Sequence, residues 1–193
     1  MLPLSVRNHC QKVLNTAIQK VTPLSGGDIN EARLLETDSG QYFLKMNTHP
    51  AALNMFKTEA AGLKLIEETQ AIQSPLVLDC AQTENNAFLL LEFIDSGYTS
   101  QTFWSNFGSA LALMHQAPQI SFGLSFDNYI GSLPQANPQL DDWPTFYHLA
   151  RLQPQLQLAK EAQKFTSSTS SVKCRVIRIF AKNGYETLSS YPE

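Results

Sequence analysis

A glycine pair, a strand lysine and a helix glutamate, spaced at set intervals, are the residues of this sequence best suited to chemistry. Gly26-Gly27 sits in L-S-G-G-D-I-N between two extended runs, Lys45 ends the apolar run Tyr42-Phe43-Leu44, and Glu59 lies on the helical segment that follows. Adjacent glycines let a backbone approach a phosphate closely and aim N–H groups at it. A lysine closing an apolar strand is costly unless its ammonium finds a counter-charge or solvent. The intervals of 18 residues from Gly27 to Lys45 and 14 from Lys45 to Glu59 suit a lysine–glutamate pair that holds nucleotide phosphates. Taken singly, each has a plainer role: a hairpin turn, an edge-strand lysine, a solvated helix residue.

Those residues need elements to carry them. Val6 to Ile18 reads as an amphipathic helix with Val6, Cys10, Val13, Leu14 and Ala17 on one side. Three strands follow, Val21–Leu24, Ala32–Glu36 and Gln41–Asn47, the last two joined by the turn Thr37-Asp38-Ser39-Gly40. Pro50 opens a helix to about Thr69 whose stripe is Phe56, Ala60, Leu63 and Glu67; Glu59 lies at its edge, with Lys57 and Lys64 towards solvent. Pro75–Ala81 and Ala87–Phe93 form a second strand pair around the polar loop Gln82–Asn86. Thr102–His115 reads as a helix burying Phe103, Phe107, Ala110, Leu111 and Met114. Residues 118–142 form an ordered loop, and a helix from Asp142 to about Ala162 is kinked at Pro154. After Phe165 the composition changes to a Ser/Thr run, Thr166–Ser171, and a basic stretch, Lys173–Lys182.

Composition narrows the class. The chain has 193 residues, 43 % hydrophobic and 16 % charged, enough for one sizeable core or two small lobes. A net charge of −3 with no basic stripe argues against nucleic acid as a partner. No apolar run reaches membrane-spanning length, and Asn8, Gln11 and Lys12 interrupt any signal-like start, so the expectation is a cytoplasmic protein without a membrane partner. Cys10, Cys80 and Cys174 show neither metal-ligand spacing nor a disulfide framework, and the four histidines are scattered.

Phe88–Ile94, F-L-L-L-E-F-I, suits a strand and hinge lining an adenine pocket, with backbone groups of Glu92, Phe93 and Ile94 reading the base edge. An ordinary buried strand accounts equally for the apolar run. His115 reads as a helix-end residue favoured by the dipole.

Longer stretches carry a resemblance. G-G-D-I-N-E-A, Y-F-L-K-M-N and F-K-T-E-A-A-G-L are followed by L-A-L-M-H, F-G-L-S-F-D-N-Y-I-G-S-L-P-Q-A-N, D-W-P-T-F-Y and R-L-Q-P-Q-L. This succession resembles the fructosamine kinase (ketosamine 3-kinase) family, relatives of the aminoglycoside and choline phosphotransferases, over residues 1 to about 165. The resemblance implies an α+β, protein-kinase-like fold: an antiparallel N-lobe sheet with one main helix over residues 1–94, and an incomplete helical C-lobe over 95–165. It implies transfer of the ATP γ-phosphate to a sugar hydroxyl of small-molecule or protein-bound ketosamines, as deglycation repair. By position, Lys45 would contact the phosphates, Glu59 would orient it, Gly26 and Gly27 would belong to the phosphate loop, and Glu92, Phe93 and Ile94 would hold adenine. Gly131–Trp143, with Gln135, Asn137 and Trp143, would form the approach to the acceptor site. Asp28 stands where some members carry a loop cysteine, so redox-linked dimerisation is not expected.

Family members continue to a loop H-G-D-x-x-x-x-N and a later aspartate that binds magnesium. Neither motif occurs here, and the only acids after Asp142 are Glu161, Glu186 and Glu193. The expectation is a reading frame shortened near residues 166–172, with 166–193 an atypical tail. Such a chain has no catalytic aspartate or metal ligands of its own and is inactive alone. The alternative is a non-catalytic nucleotide-binding or interaction module, a pseudokinase. Marginal stability is expected in either case.

Overall fold

The computed structural model describes residues 1–25 and 29–164. Gly26, Gly27 and Asp28, the segment 165–193 with Cys174, and the expectations attached to them lie outside the described residues. The chain divides into two compact units, Met1–Ala117 and Pro118–Glu193.

The first unit begins with α1 (Leu4–Leu14), β1 (Ile18–Leu24), β2 (Glu31–Thr37), β3 (Gly40–Asn47) and α2 (Ala52–Glu68); β4 (Val77–Thr83), β5 (Asn86–Glu92) and α3 (Phe103–His115) complete it. Its strands make one antiparallel sheet in the order β1-β2-β3-β5-β4. Two tight turns set the register. Asp38-Ser39 joins β2 to β3 with Thr37 opposite Gly40, whose φ of +142° is open to glycine. Glu84-Asn85 joins β4 to β5 with Thr83 opposite Asn86.

Side chains alternate across a strand, and here both faces are covered. On one face Phe88 and Leu90 of β5 join Leu35, Leu44 and Met46 beneath Val6 and Cys10 of α1. On the other, Ala87, Leu89 and Leu91 pack under Ala52, Phe56 and Ala60 of α2. Ala87 to Leu91 is therefore buried at five consecutive positions, as a strand between two helix layers must be. Each fully buried Leu or Phe stabilises by about 1.5–3 kcal/mol.

Helix α1 stops four residues before the end expected from its periodicity. Asn15 takes a left-handed φ of 51°, and Ile18 is already the buried first residue of β1. The connection is held by α1 itself: the Ile18 N–H donates to Gln11 Oε1 at 3.0 Å, and the Arg7 guanidinium donates to the Ile18 carbonyl. His9 Nε2 meets Asp79 Oδ2 at 2.7 Å, tying α1 to the edge strand β4.

Helix α3 departs further from expectation, because none of its residues is buried. Phe103 and Phe107, read as core, are 39 % and 40 % exposed, and Trp104 is 72 % exposed. The reason lies in the layering: α1 and α2 already occupy both faces of the sheet. The α3 aromatics instead pack on one another, Phe103 against Trp104 at 5.0 Å and against Phe107 at 6.3 Å between ring centres.

The described part of the second unit, residues 118–164, starts with the short hairpin β6 (Asn128–Ile130) and β7 (Leu133–Gln135). Phe122 and Leu140 exchange backbone hydrogen bonds of 2.8 and 3.0 Å, closing the loop that contains the hairpin. Asp142 caps α4 (Trp143–Tyr147) by accepting the Thr145 N–H at 2.8 Å. The expected single kinked helix is three segments: α4, a π-helical turn His148–Leu152, and α5 (Gln153–Glu161). Pro154 has no N–H for the carbonyl of Ala150, four residues earlier. Arg151 Nη1 donates to that carbonyl at 3.0 Å, and the Gln153 N–H bonds back to His148 across the π turn. The wider π turn lies just before the proline, where the regular hydrogen-bond ladder is interrupted.

Candidate functional site

Strand β3 places Lys45 by simple alternation. Leu44 and Met46 point into the α1 cluster and Phe43 into the α2 cluster, so Lys45 rises from the α2 face. Glu59 lies one residue before Ala60 and three after Phe56, the two α2 residues pressed onto that face. The packing brings the charges together: Lys45 Nζ donates to Glu59 Oε1 at 2.7 Å and to Oε2 at 2.9 Å. The side chains are 25 % and 34 % exposed, so the pair is partly shielded from screening. An ammonium has three donors, and the carboxylate fixes its direction without exhausting it. Such a group can bind and orient an anion such as a phosphate oxygen.

The hinge residues are placed differently. Glu92 ends β5 opposite Tyr42, while Lys45 stands opposite Leu89. The two positions are three residues apart, about 10 Å along β5. The Glu92 N–H already donates to the Leu76 carbonyl at 2.9 Å, and its carboxylate Oε2 accepts the Leu76 N–H at 3.2 Å. The Glu92 N–H is therefore already engaged. Glu92, Phe93 and Ile94 line a cavity of about 590 Å³ shared with Glu67, Ile72 and Leu76. Lys45 and Glu59 do not line it, since Glu67 is eight residues beyond Glu59, about 12 Å along the helix.

Residues 131–143 are held by side chains and carbonyls from the chain on either side of them. Asn137 is 6 % exposed; its Nδ2 donates to the Phe126 carbonyl and Asn128 Oδ1, both at 3.0 Å, and its Oδ1 accepts from the Arg151 guanidinium. Gln135 Nε2 donates to Asn128 Oδ1 at 2.9 Å. Trp143 packs against Phe122, Phe146 and Tyr147. These residues build the loop, and the Asn137 amide has no donor left to offer a ligand. Burial lowers the Arg151 pKa from its ordinary range, and the guanidinium lies 4.6 Å over the Phe146 ring.

The thiols are not poised for chemistry. Burial, then the charge of Asp79, pushes Cys10 up to about 12, and Cys80 is raised by the same two causes in that order. Both stay protonated near neutral pH, so neither is an activated nucleophile. Among the described residues no group of three or more His, Cys, Asp or Glu could hold a metal ion. No helix among them is long and apolar enough to cross a membrane.

Sequence reasoning missed two side-chain roles. The Glu92 carboxylate grips the Leu76 amide, a contact that only the folded β4–β5 pairing reveals. Asn47, two residues after Lys45 on the same face of β3, was signalled by its position in K-M-N but not recognised.

The sequence model of the fructosamine kinase family matches residues 4–187, past residue 165 where the resemblance was expected to end. A protein of Lactiplantibacillus plantarum named "probable ketoamine kinase" is 39 % identical over 146 residues, covering 76 % of this chain and 50 % of its own. The Arabidopsis thaliana protein named protein-ribulosamine 3-kinase, chloroplastic, is 39 % identical over 151 residues, 76 % of this chain and 45 % of its own. A crystal structure from Haemophilus somnus, provisionally named a fructosamine-3-kinase, superposes with a TM-score of 0.74 at 28 % identity, covering 82 % of this chain and 54 % of the other. The chain spans about half the length of the curated relatives it matches. The sheet order, the lysine–glutamate pair and these likenesses agree on a kinase-like α+β fold, and the chain belongs to the fructosamine kinase family.

Proposed function

We propose that this chain carries the nucleotide-binding part of an ATP-dependent kinase that phosphorylates a sugar hydroxyl of ketosamines, free or protein-bound. The observation that supports it best is the two-oxygen pairing of Lys45 with Glu59 on the sheet face beneath α2. In this reading residues 1–94 form the nucleotide lobe and 95–165 begin the helical lobe. The Lys45 ammonium, aimed by Glu59, neutralises phosphate charge, and Gly26 and Gly27 supply backbone donors to the phosphates. The Glu92 carbonyl and the backbone of Phe93 and Ile94 hold the adenine edge. Phosphoryl transfer is mostly positioning and charge stabilisation, and this lobe supplies the positioning of the donor.

Family kinases use magnesium, which neutralises the phosphates when bound. Among the described residues no group of three or more His, Cys, Asp or Glu could hold it.

A second reading is nucleotide binding without transfer. It takes its support from the same Lys45–Glu59 pair, which can hold a phosphate oxygen but does not by itself transfer one. One experiment separates the two. The full chain is titrated with ATP by calorimetry, then incubated with γ-labelled ATP and fructosyl-lysine. Binding with labelled product supports the kinase, binding without it supports the module, and no binding sinks both.

A further inference from the structure

Asn47 is the last residue of β3, on the face that carries Lys45. Its Nδ2 donates to the Ile29 carbonyl at 2.9 Å and to Asn30 Oδ1 at 2.8 Å. Its Oδ1 accepts the His49 N–H at 2.8 Å. His49 Nδ1 in turn accepts the N–H of Ala51, the residue before α2, at 3.1 Å.

A carboxamide has two N–H donors and one carbonyl oxygen, and all three groups of Asn47 are engaged. The partners orient the amide, because the Ile29 carbonyl only accepts and the His49 N–H only donates. The bond to His49 is a local turn that Asp, Ser or Thr would serve as well. The two donor bonds are different in kind. They reach 18 and 17 residues back along the chain, to the segment that follows the glycine pair, and of these turn formers only an amide supplies them. The side chain thus joins three segments: the approach to β2, the end of the lysine strand and, through His49, the start of the glutamate helix.

We propose that Asn47 is a positioning residue of the nucleotide site, bracing Ile29-Asn30 against the strand of Lys45 and the helix of Glu59. The brace acts on the phosphate end of the site and leaves the hinge end alone. This rests on the reading of Lys45 and Glu59 as a nucleotide site; the brace itself does not.

The test is Asn47→Asp, which keeps size and the turn acceptor but sets a carboxylate against two acceptor oxygens. Amide hydrogen exchange of the full chain and the dissociation constants of ADP and adenosine are measured together. Exchange at Ile29–Glu31 is expected to quicken roughly tenfold, with α2 and the rest of β3 unchanged. ADP affinity is expected to fall roughly tenfold while adenosine affinity stays within about twofold. A merely structural role would weaken both ligands alike and loosen β3 and α2 as well, and that result overturns the proposal. So does unchanged exchange at Ile29–Glu31. Should Asn47→Asp fail to fold, Asn30→Ala removes one acceptor from the other end and carries the same expectations at smaller size. If the unmodified chain binds no ADP, the nucleotide reading and the phosphate-end role fall together, while the exchange result separately decides whether the brace exists.

Discussion

Lys45 on β3 stands directly across from Leu89 on β5, and Leu89 is wholly buried beneath α2. The contacts that bury Leu89 with Phe56 and Ala60 set how closely α2 rides on the sheet. Glu59, between those two helix residues in sequence, is thereby held within 2.7 Å of the ammonium. Core packing and the ion pair are one arrangement.

Lys45→Met is expected to reduce ATP affinity by about tenfold or more, equivalent to roughly 1.4 kcal/mol. Glu59→Gln retains an acceptor and is expected to cost less. The double variant should bind no worse than Lys45→Met, because Glu59 acts through the lysine. Calorimetric titration reads all three. Thermal stability should hardly move, since a partly exposed pair contributes only about 0–1 kcal/mol to folding.

Phe56→Ala empties the centre of the α2 cluster and is expected to cost about 3–5 kcal/mol of unfolding free energy. Leu65→Ala, on the same helix at 36 % exposure, should cost about 1 kcal/mol or less. Urea unfolding followed by circular dichroism distinguishes them, and equal losses would contradict the layer assignment.

The Cys10 thiol imposes an alkaline limit on stability. Its pKa is raised from the ordinary 9.0 to about 12 by burial and the neighbouring Asp79. A raised folded-state pKa means the stabilisation is complete below pH 9 and is lost as pH climbs through 12. The urea midpoint should therefore drop between pH 8 and pH 10.5. In Cys10→Ala that drop should shrink, although the variant starts from a lower midpoint because of its cavity. A pH dependence unchanged by the substitution would refute the assignment.

Gly123 has a φ of +103°, and a Cβ there would lie 2.4 Å from the Pro138 carbonyl oxygen. Gly123→Ala is expected to destabilise the second unit by about 1–3 kcal/mol. The loop it deforms supports Phe122 against Trp143, so the Trp143 emission should shift to the red. Trp104→Phe as background removes the other tryptophan signal. An unshifted spectrum would count against the close approach.

Much of the first unit was legible beforehand. The β2 and β3 strands and their Asp38-Ser39 turn follow from alternation and from a glycine at the position that needs a positive φ. Helix α2 follows from its apolar stripe. The end of α1 was not legible, because the periodic pattern runs on through residues that the left-handed Asn15 and the demands of Ile18 turn into strand. The burial of α3 was misread for a different reason: a stripe shows which side is apolar, not whether a partner surface remains. At Pro154 the sequence marked the place of the irregularity but not its form, a π turn in which Arg151 Nη1 donates to the Ala150 carbonyl.

Residue types and intervals by themselves determined that a lysine on a strand and a glutamate on the next helix stand fourteen residues apart, and that their surroundings resemble one kinase family. Only the tertiary structure decided that the two charges touch, because their separation depends on how deeply α2 seats on Leu89 and Leu91. It likewise decided that Asn47 spends its amide on Ile29, Asn30 and His49. Spacing along a chain sets which faces share a direction; distances between elements come from the packing that joins them.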